Sequence, residues 1–120
     1  MLITDDRTIS DIQAEFQKKF PYLKIEFYAA PHEEGEVSSD RTLLDADKTL
    51  AEVRTATNAG ELSINAHLKV STLEGNFRDI YGLNVQVFRR SRKIWLQTTA
   101  TDEWTLAEQN DLGEETGQFD

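Results

Sequence analysis

The chain has 120 residues, of which 38% are hydrophobic and 29% charged, a composition that is ordinary for a soluble globular protein. It contains no cysteine, which excludes disulfides and thiolate chemistry, and its net charge of −9 argues against a general polyanion binder. The start of the chain lacks the basic region and long apolar stretch of a signal peptide, and no run is long enough to cross a bilayer. We therefore expect one cytoplasmic domain without a membrane partner.

The first half of the chain predicts a strand at residues 2–4, a helix at residues 8–20 and a strand at residues 22–29. Thr8 is a typical N-cap, and Pro21 ends the helix because the residue before proline disfavours helical geometry. The apolar stripe of the helix consists of Ile9, Ile12, Phe16 and Phe20.

An acidic loop is predicted next, at residues 30–40, and part of residues 36–43 is predicted as a third strand. Residues 47–53 indicate a short helical turn with a threonine cap. The small-residue stretch 55–60 is typical of a connector, so it marks the boundary between two halves.

The second half opens with a predicted strand at residues 62–65 and a helix at residues 70–81, which ends at Gly82. The start of this helix is left open: Ser71 and Glu74 form a capping-box pattern, whereas alignment with the first half places the start near residue 69. The inward positions are Val70, Leu73, Phe77 and either Ile80 or Tyr81.

Residues 83–98 predict a β-hairpin with a two-residue turn at Ser91 and Arg92, which would pair Arg89 with Ile94. Side chains alternate between the two faces of a strand. The predicted core face carries Val85, Val87, Ile94 and Leu96. The opposite face carries Asn84, Gln86, Phe88, Trp95 and Gln97.

After the hairpin, residues 104–108 predict the beginning of a last helical turn. Residues 111–120 lack apolar periodicity, so we predict a flexible acidic tail there and a single domain over residues 1–110.

The two halves, about residues 1–54 and 61–110, follow the same order of elements and indicate an internal repeat. The helix stripes match at an offset of 61 residues and the following strands at an offset of 60, and Thr-Leu-Ala-Glu occurs at both 49–52 and 105–108. Strand–helix–strand units are right-handed when their strands are parallel, which puts both helices on the same side. The predicted fold is therefore α+β: a mixed sheet of five or six strands with two amphipathic helices on one face, built from two degenerate strand-helix-strand-strand repeats.

Segments 20–27 and 82–88, together with Trp95 and segment 101–110, resemble a family of small bacterial α+β proteins of unassigned function with two internal helix–strand repeats. The resemblance covers most of the chain and consists of packing motifs. It implies no catalytic residue and no ligand.

The catalytic inventory of the sequence is small, and we predict no catalytic residue, metal ligand or cofactor. His32 lies in an acidic loop that lacks a second histidine, and His67 reads as a boundary residue before a helix. The stretch beginning at Asp45 starts like a calcium loop but has Leu50 where glycine is required and Ala56 where a glutamate ligand belongs.

The strongest candidate surface is the basic, aromatic hairpin. Its four cations lie in a stretch with no acid between Asp79 and Asp102, and removing them from the net charge of −9 leaves −13 on the rest of the chain. The candidate partner-binding residues are Tyr28, Phe88, Arg89, Arg90, Arg92, Lys93 and Trp95.

Three explanations compete for the aromatics of this surface. Trp104 and the last helical turn could cover them as a small core of their own, or they could form an interface with another protein or a second copy. The third explanation is base stacking of single-stranded nucleic acid, which the acidic body of the chain opposes. The sequence thus favours a non-enzymatic protein-interaction or assembly module; single-stranded nucleic-acid binding is the alternative, and an enzyme of unknown class ranks third.

Overall fold

The computed structural model describes residues 1–29 and 42–117 of the chain. Four α-helices lie in this part: α1 (Ile9–Lys19), α2 (Leu50–Val53), α3 (Val70–Asn76) and α4 (Leu106–Gly117). The strands are β1 (Leu2–Ile3), β2 (Leu23–Tyr28), β3 (Leu62–Ser63), β4 (Asn84–Ser91) and β5 (Ile94–Gln97). The predicted α+β class is confirmed.

The described strands form two antiparallel sheets rather than the one predicted mixed sheet of five or six strands. β1 pairs with β3 in a two-stranded sheet, and a three-stranded sheet has the order β2-β4-β5. The prediction assumed that β1 and β2 are parallel neighbours linked through α1, but they belong to different sheets. Antiparallel pairing between the two halves replaces the expected crossover.

One hydrophobic core joins the helices to both sheets. The predicted stripe residues of the two long helices are buried, with Tyr81 rather than Ile80 at the last position, as are the odd-numbered residues of β2. The aromatic part of this core includes an edge-on contact between Phe27 and Phe77, with ring centroids 5.3 Å apart. Burying such rings is a large favourable contribution to folding, about 1.5–3 kcal/mol for each side chain.

The helix starts are tied together in pairs by reciprocal backbone hydrogen bonds. The amide of Ile9 donates to Lys48 O (3.0 Å), and the amide of Leu50 donates to Arg7 O (3.0 Å). In the second half, Val70 N donates to Trp104 O (3.0 Å) and Leu106 N to Leu68 O (2.9 Å). Each long helix therefore begins against the start of the short or C-terminal helix of the same half.

Threonine side chains cap three of these four helices, as the sequence predicts for Thr8 and Thr49. Thr8 Oγ1 accepts from Asp11 N, and Thr49 forms a complete capping box with Glu52. Thr105 makes the equivalent pair of bonds with Glu108. α3 begins at Val70, directly after Lys69. The start expected from the alignment of the two halves is therefore correct, and the start expected from the capping-box pattern of Ser71 and Glu74 is not.

The second long helix ends in a π-helical turn, Phe77–Tyr81, and Gly82 follows with a left-handed φ of 65°. A Cβ at Gly82 would lie 2.1 Å from Thr55 Oγ1, so both the backbone conformation and the close packing require glycine. The predicted helix stop is confirmed.

The acidic tail predicted from residue 111 onward is wrong for residues 111–117, because α4 continues to Gly117. Buried Gly113 lies where an added Cβ would be 2.8 Å from Tyr22 Cβ and 3.1 Å from Arg89 Cγ. The helix is thus stabilised by close backbone approach at a glycine, which apolar periodicity does not reveal.

The hairpin register also differs from the prediction. The turn consists of Arg92 and Lys93, with Arg92 at a φ of 54°, and Leu96 lies opposite Arg89. The turn residues lack the Asn-Gly type of signal that defines a register from sequence. The side chains lie on the predicted faces despite this shift. Ile94 and Leu96, however, are exposed by 57% and 37% and are not part of the core.

Pairing between the halves has a two-fold relation. Residues 60 apart exchange partners: Ile25 lies opposite Val87, and Phe27 lies opposite Val85. Glu26 and Gln86, also 60 apart, lie opposite each other. The small sheet follows the same rule, since Leu2 pairs with Ser63 and Ile3 with Leu62.

The predicted loop at residues 30–40, which contains His32, lies outside the described residues. Most of the strand predicted within residues 36–43 lies outside them as well. Residues 42–44 lie alongside the end of β2, where Leu44 N donates to Phe27 O and Ala29 N to Thr42 O, both at 2.9 Å.

Candidate functional site

Two aromatic side chains and two cations form a cluster on the face of the β2-β4-β5 sheet that points away from the main core. Lys24 lies opposite Phe88 and Arg90 lies opposite Trp95 in the strand register. Lys24 Nζ lies 5.2 Å from the centroid of each of the two rings, and Arg90 Cζ lies 5.5 Å from the Trp95 ring. We call Lys24, Phe88, Arg90 and Trp95 the aromatic–cation cluster.

The cluster is held in place by the sheet and by its own electrostatics. Both rings are half-buried, and Lys24 also lies 3.8 Å from Glu26 Oε1. Each contact between a cation and a ring at a partly exposed site contributes about 0.5–1 kcal/mol. Phe88 and Trp95 are therefore presented in a fixed arrangement before any partner binds.

The basic tip of the hairpin adjoins this cluster. Arg92 and Lys93 form the turn itself, and both side chains are exposed. Together with Lys24 and Arg90 they make a positive region on a molecule whose net charge is −9.

Arg89 does not belong to this surface, although the sequence placed it among the candidate residues. Alternation along β4 turns Arg89 to the core side, where its Nη1 donates to Gln109 Oε1 of α4 at 2.7 Å. Burial lowers the pKa of its guanidinium, and its buried Nε has no hydrogen-bond partner among the described residues. Gln109 in turn donates to Thr101 O at 2.8 Å, so Arg89 helps to fix α4.

Tyr28 shares the face of the cluster but lies at the other end of β2. It pairs with Asn84, four residues along the strand from Lys24, a distance of about 13 Å at the usual rise of a β-strand. The structure therefore brings together Phe88, Trp95 and Arg90 from the predicted set, with the tip beside them, and leaves Tyr28 apart.

Lys24 is the member of the cluster that sequence reasoning missed. Its outward orientation could be predicted from the alternation of β2, but its position over the aromatics depends on the pairing of β2 with β4. The pairing brings together residues more than sixty positions apart and has no local signal in the sequence.

Trp104 lies beside the start of α3, where its carbonyl accepts from Val70 N at 3.0 Å, and its side chain is 38% exposed. α4 reaches the hairpin through its glycines instead: a Cβ at Gly117 would lie 3.3 Å from Arg90 Cγ. Of the cations in the described part of the chain, Lys24 lies over both rings of the cluster and Arg90 lies over Trp95.

Residues 1–29 and 42–117 contain no helix with the length and apolar character that a membrane crossing requires. The same residues contain no group of three or more histidine, aspartate or glutamate side chains placed to hold a metal ion.

Searches against protein-family models, curated proteins and solved structures found no match to this chain. The resemblance to small bacterial α+β proteins therefore stays a prediction.

Proposed function

We propose that the chain is a non-enzymatic protein-interaction or assembly module that binds its partner through the β4–β5 hairpin. The observation that carries the proposal is the aromatic–cation cluster, with an exposed basic tip directly beside it. Tryptophan and arginine are the residues that most often dominate binding energy in protein interfaces. Here they are adjacent on one strand pair.

The charge distribution supports an acidic partner surface. The four cations of this surface, Lys24, Arg90, Arg92 and Lys93, lie on a molecule that carries 22 acidic and 13 basic residues. Complementary charge accelerates encounter and selects orientation, while burial of the rings supplies affinity that salt does not screen.

Single-stranded nucleic acid is the competing ligand, because open sheets with aromatics also stack bases. Two observations favour protein. The ring faces that a base would use are already in contact with Lys24, and the net charge of −9 repels a phosphate chain.

The test compares wild type with Trp95→Ala, with the double variant Arg90→Glu/Arg92→Glu and with Trp104→Ala. Trp104 is the matched control, since it is a second partly exposed tryptophan and lies beside the start of α3 rather than on the hairpin. We expect immobilised protein to retain a specific partner, retention to be lost with Trp95→Ala, and retention to be unchanged with Trp104→Ala.

Oligonucleotide binding is measured in parallel, between about 50 and 200 mM salt. We expect no binding of a mixed single-stranded oligonucleotide tighter than about 10 μM at physiological salt. Tighter binding with a log–log salt slope of about −3 to −4, abolished by the arginine reversals, would replace the protein-interaction proposal with the nucleic-acid one.

We further propose that the chain arose by duplication of one unit of roughly half its length. The exchange of partners at an offset of 60 residues in both sheets supports this, as does the match between the reciprocal hydrogen bonds of the two halves. The shared Thr-Leu-Ala-Glu sequence at α2 and α4 supports it independently.

A further inference from the structure

Among the described residues, no strand pairs with the outer edge of β5. Ser91 and Ile94 flank the two-residue turn, and Thr98 N donates to Val87 O at 3.3 Å, so even-numbered residues direct their backbone groups toward β4. The amides and carbonyls of Trp95 and Gln97 therefore point away from the sheet. β5 is the last strand of its sheet, and no other strand of residues 1–29 and 42–117 lies beyond it.

This edge is short, at four residues, but it lacks proline and charged side chains, two further devices that protect natural edges against strand pairing. Natural edge strands are blocked by proline, by inward-pointing charges, by bulges or by a covering element. The sequence of β5 is Ile-Trp-Leu-Gln, with neither proline nor charge, and Ile94 is exposed by 57%. An exposed edge of this composition is a template for an added strand.

The two faces of β5 specify what the added strand would carry. Ile94 and Leu96 form an exposed apolar strip on one face. On the other face Trp95 is accompanied by Arg90 and Lys24, and the basic tip lies at the end of the strand. A strand with apolar side chains on one face and carboxylates on the other is complementary to both.

We propose that β5 binds an extended segment of an acidic partner protein as a fourth, edge-paired strand, in which apolar residues alternate with aspartate or glutamate. The segment bonds to the outward backbone groups of Trp95 and Gln97, its apolar residues contact Ile94 and Leu96, and its carboxylates face the cations. This inference rests on the proposed function and adds the mode of binding and the chemistry of the partner.

A second copy of the chain fits this edge less well. The cations that surround its own β5 would face the same cations of the first copy, and each copy has a net charge of −9. Pairing of two four-residue strands also covers far less than the roughly 1,200–2,000 Å² that stable protein complexes bury.

The test uses a fluorescein-labelled seven-residue peptide that alternates glutamate with valine and measures its binding by fluorescence anisotropy. The decisive variant is Gln97→Pro, which removes the outward amide and places a ring at the edge without disturbing the bonds to β4. Gln97→Ala is the matched control, because it changes the side chain and keeps the amide.

Wild type is expected to bind with a dissociation constant on the order of 10–100 μM. Gln97→Pro should weaken binding by at least about tenfold, as expected for loss of one or two hydrogen bonds, and Gln97→Ala by less than about twofold. Arg92→Glu/Lys93→Glu should weaken binding and reduce its salt dependence. Peptide with N-methylated valine amides should not bind wild type, a result that does not depend on how any variant folds.

Binding of the N-methylated peptide, equal binding by Gln97→Pro, or no binding of the plain peptide up to about 1 mM would each overturn strand addition. If retention of the partner protein still requires Trp95 in that case, the proposed function stands and only binding by strand addition is wrong. Sedimentation that shows a dimer dissociated by Gln97→Pro would assign the edge to a second copy and overturn the acidic partner.

Discussion

At the scale of single residues, two glycines define how α4 meets the sheet. Gly113 and Gly117 lie against Tyr22, and side chains at either position would contact that residue at 3.2 Å or less. The same approach lets Gln109 reach Arg89 and lets Thr116 Oγ1 donate to Arg90 O at 3.0 Å. The glycines thus connect the C-terminal helix to β4, the strand that carries Phe88 and Arg90 of the aromatic–cation cluster.

Gly113→Ala should destabilise the protein, although alanine is the better helix former by about 1 kcal/mol. Its Cβ would be 2.8 Å from Tyr22 Cβ and 3.1 Å from Tyr22 O, so the helix or the strand must shift, at a cost of about 1–3 kcal/mol. Gly75→Ala in α3 is the control, because Arg78 Nη2, at 3.4 Å, is the one described atom within 4 Å of an added Cβ outside the helix backbone and the adjoining residues. Urea denaturation should show opposite signs, with Gly75→Ala stabilising by up to about 1 kcal/mol. Equal stabilisation by both would mean that α4 does not pack as described.

At the scale of elements, the two long helices should contribute similarly to stability. Phe16 lies in α1 and Phe77 in the second long helix, and both are fully buried. Phe16→Ala and Phe77→Ala should each lower the free energy of unfolding by about 3–5 kcal/mol, as core truncations do. Denaturant midpoints measure this. A loss below about 1 kcal/mol for either variant would show that its helix is not part of the core.

The capping boxes of α2 and α4 should make stability depend on acid pH. Backbone hydrogen bonds from Thr49 and Thr105 lower the pKa of Glu52 and of Glu108 below the ordinary value of 4.5. Because the folded-state pKa is lowered, this stabilisation is present above pH 4.5 and is lost as pH falls through the folded-state pKa.

The melting temperature of wild type should therefore be lower at pH values below the ordinary glutamate pKa than at neutral pH. The double variant Glu52→Gln/Glu108→Gln should fall less, since glutamine keeps the cap acceptor and does not titrate. The difference will be partial, because hydrogen bonds from Thr4 and from Lys69 lower the pKa of Asp6 and Glu103 in the same direction. Parallel pH profiles for the two proteins would rule out a role for the boxes.

At the scale of the whole molecule, the halves depend on each other. β1 finds its partner in β3, and β2 finds its partner in β4, so each described sheet crosses the boundary between halves. Arg54 reinforces this boundary: its Nη1 binds Asp5 at 2.7 Å, and its guanidinium lies 4.5 Å from the Tyr81 ring.

Neither residues 1–60 nor residues 61–120 should fold alone as a monomer. The first fragment lacks β3 and β4, the partners of its β1 and β2, and the second keeps only the two-stranded β4–β5 hairpin, which is marginally stable at best. An equimolar mixture should regain helical circular dichroism and a cooperative thermal transition. A self-associated fragment 1–60 with the same transition would support the duplication, since a second copy would supply equivalent strands. Cooperative unfolding of a monomeric fragment would contradict the mutual dependence of the halves.

The features that the sequence predicts correctly are those that depend on residues close together in the chain. The helices around Phe16 and Phe77, the cap at Thr8 and the stop at Gly82 follow from short-range spacing and backbone preference. The pairing of β2 with β4, and hence the position of Lys24 over Trp95, depends on contacts between distant segments. The core of the candidate surface could thus be predicted from one hairpin, while its exact membership required the sheet.

The reciprocal bonds at the helix starts also bear on hydrogen exchange. Amides in the first turn of a helix ordinarily lack an acceptor and exchange quickly with solvent. In α4 all four have one: Leu106 and Ala107 donate to carbonyls of the loop before α3, and Thr105 and Glu108 each donate to the side chain of the other. In α1 the amides of Ile9 and Ser10 donate in the same way to the loop before α2. Deuterium uptake at these helix starts will therefore report the separation of two loops rather than the fraying of one helix, and in each half the two starts will open together.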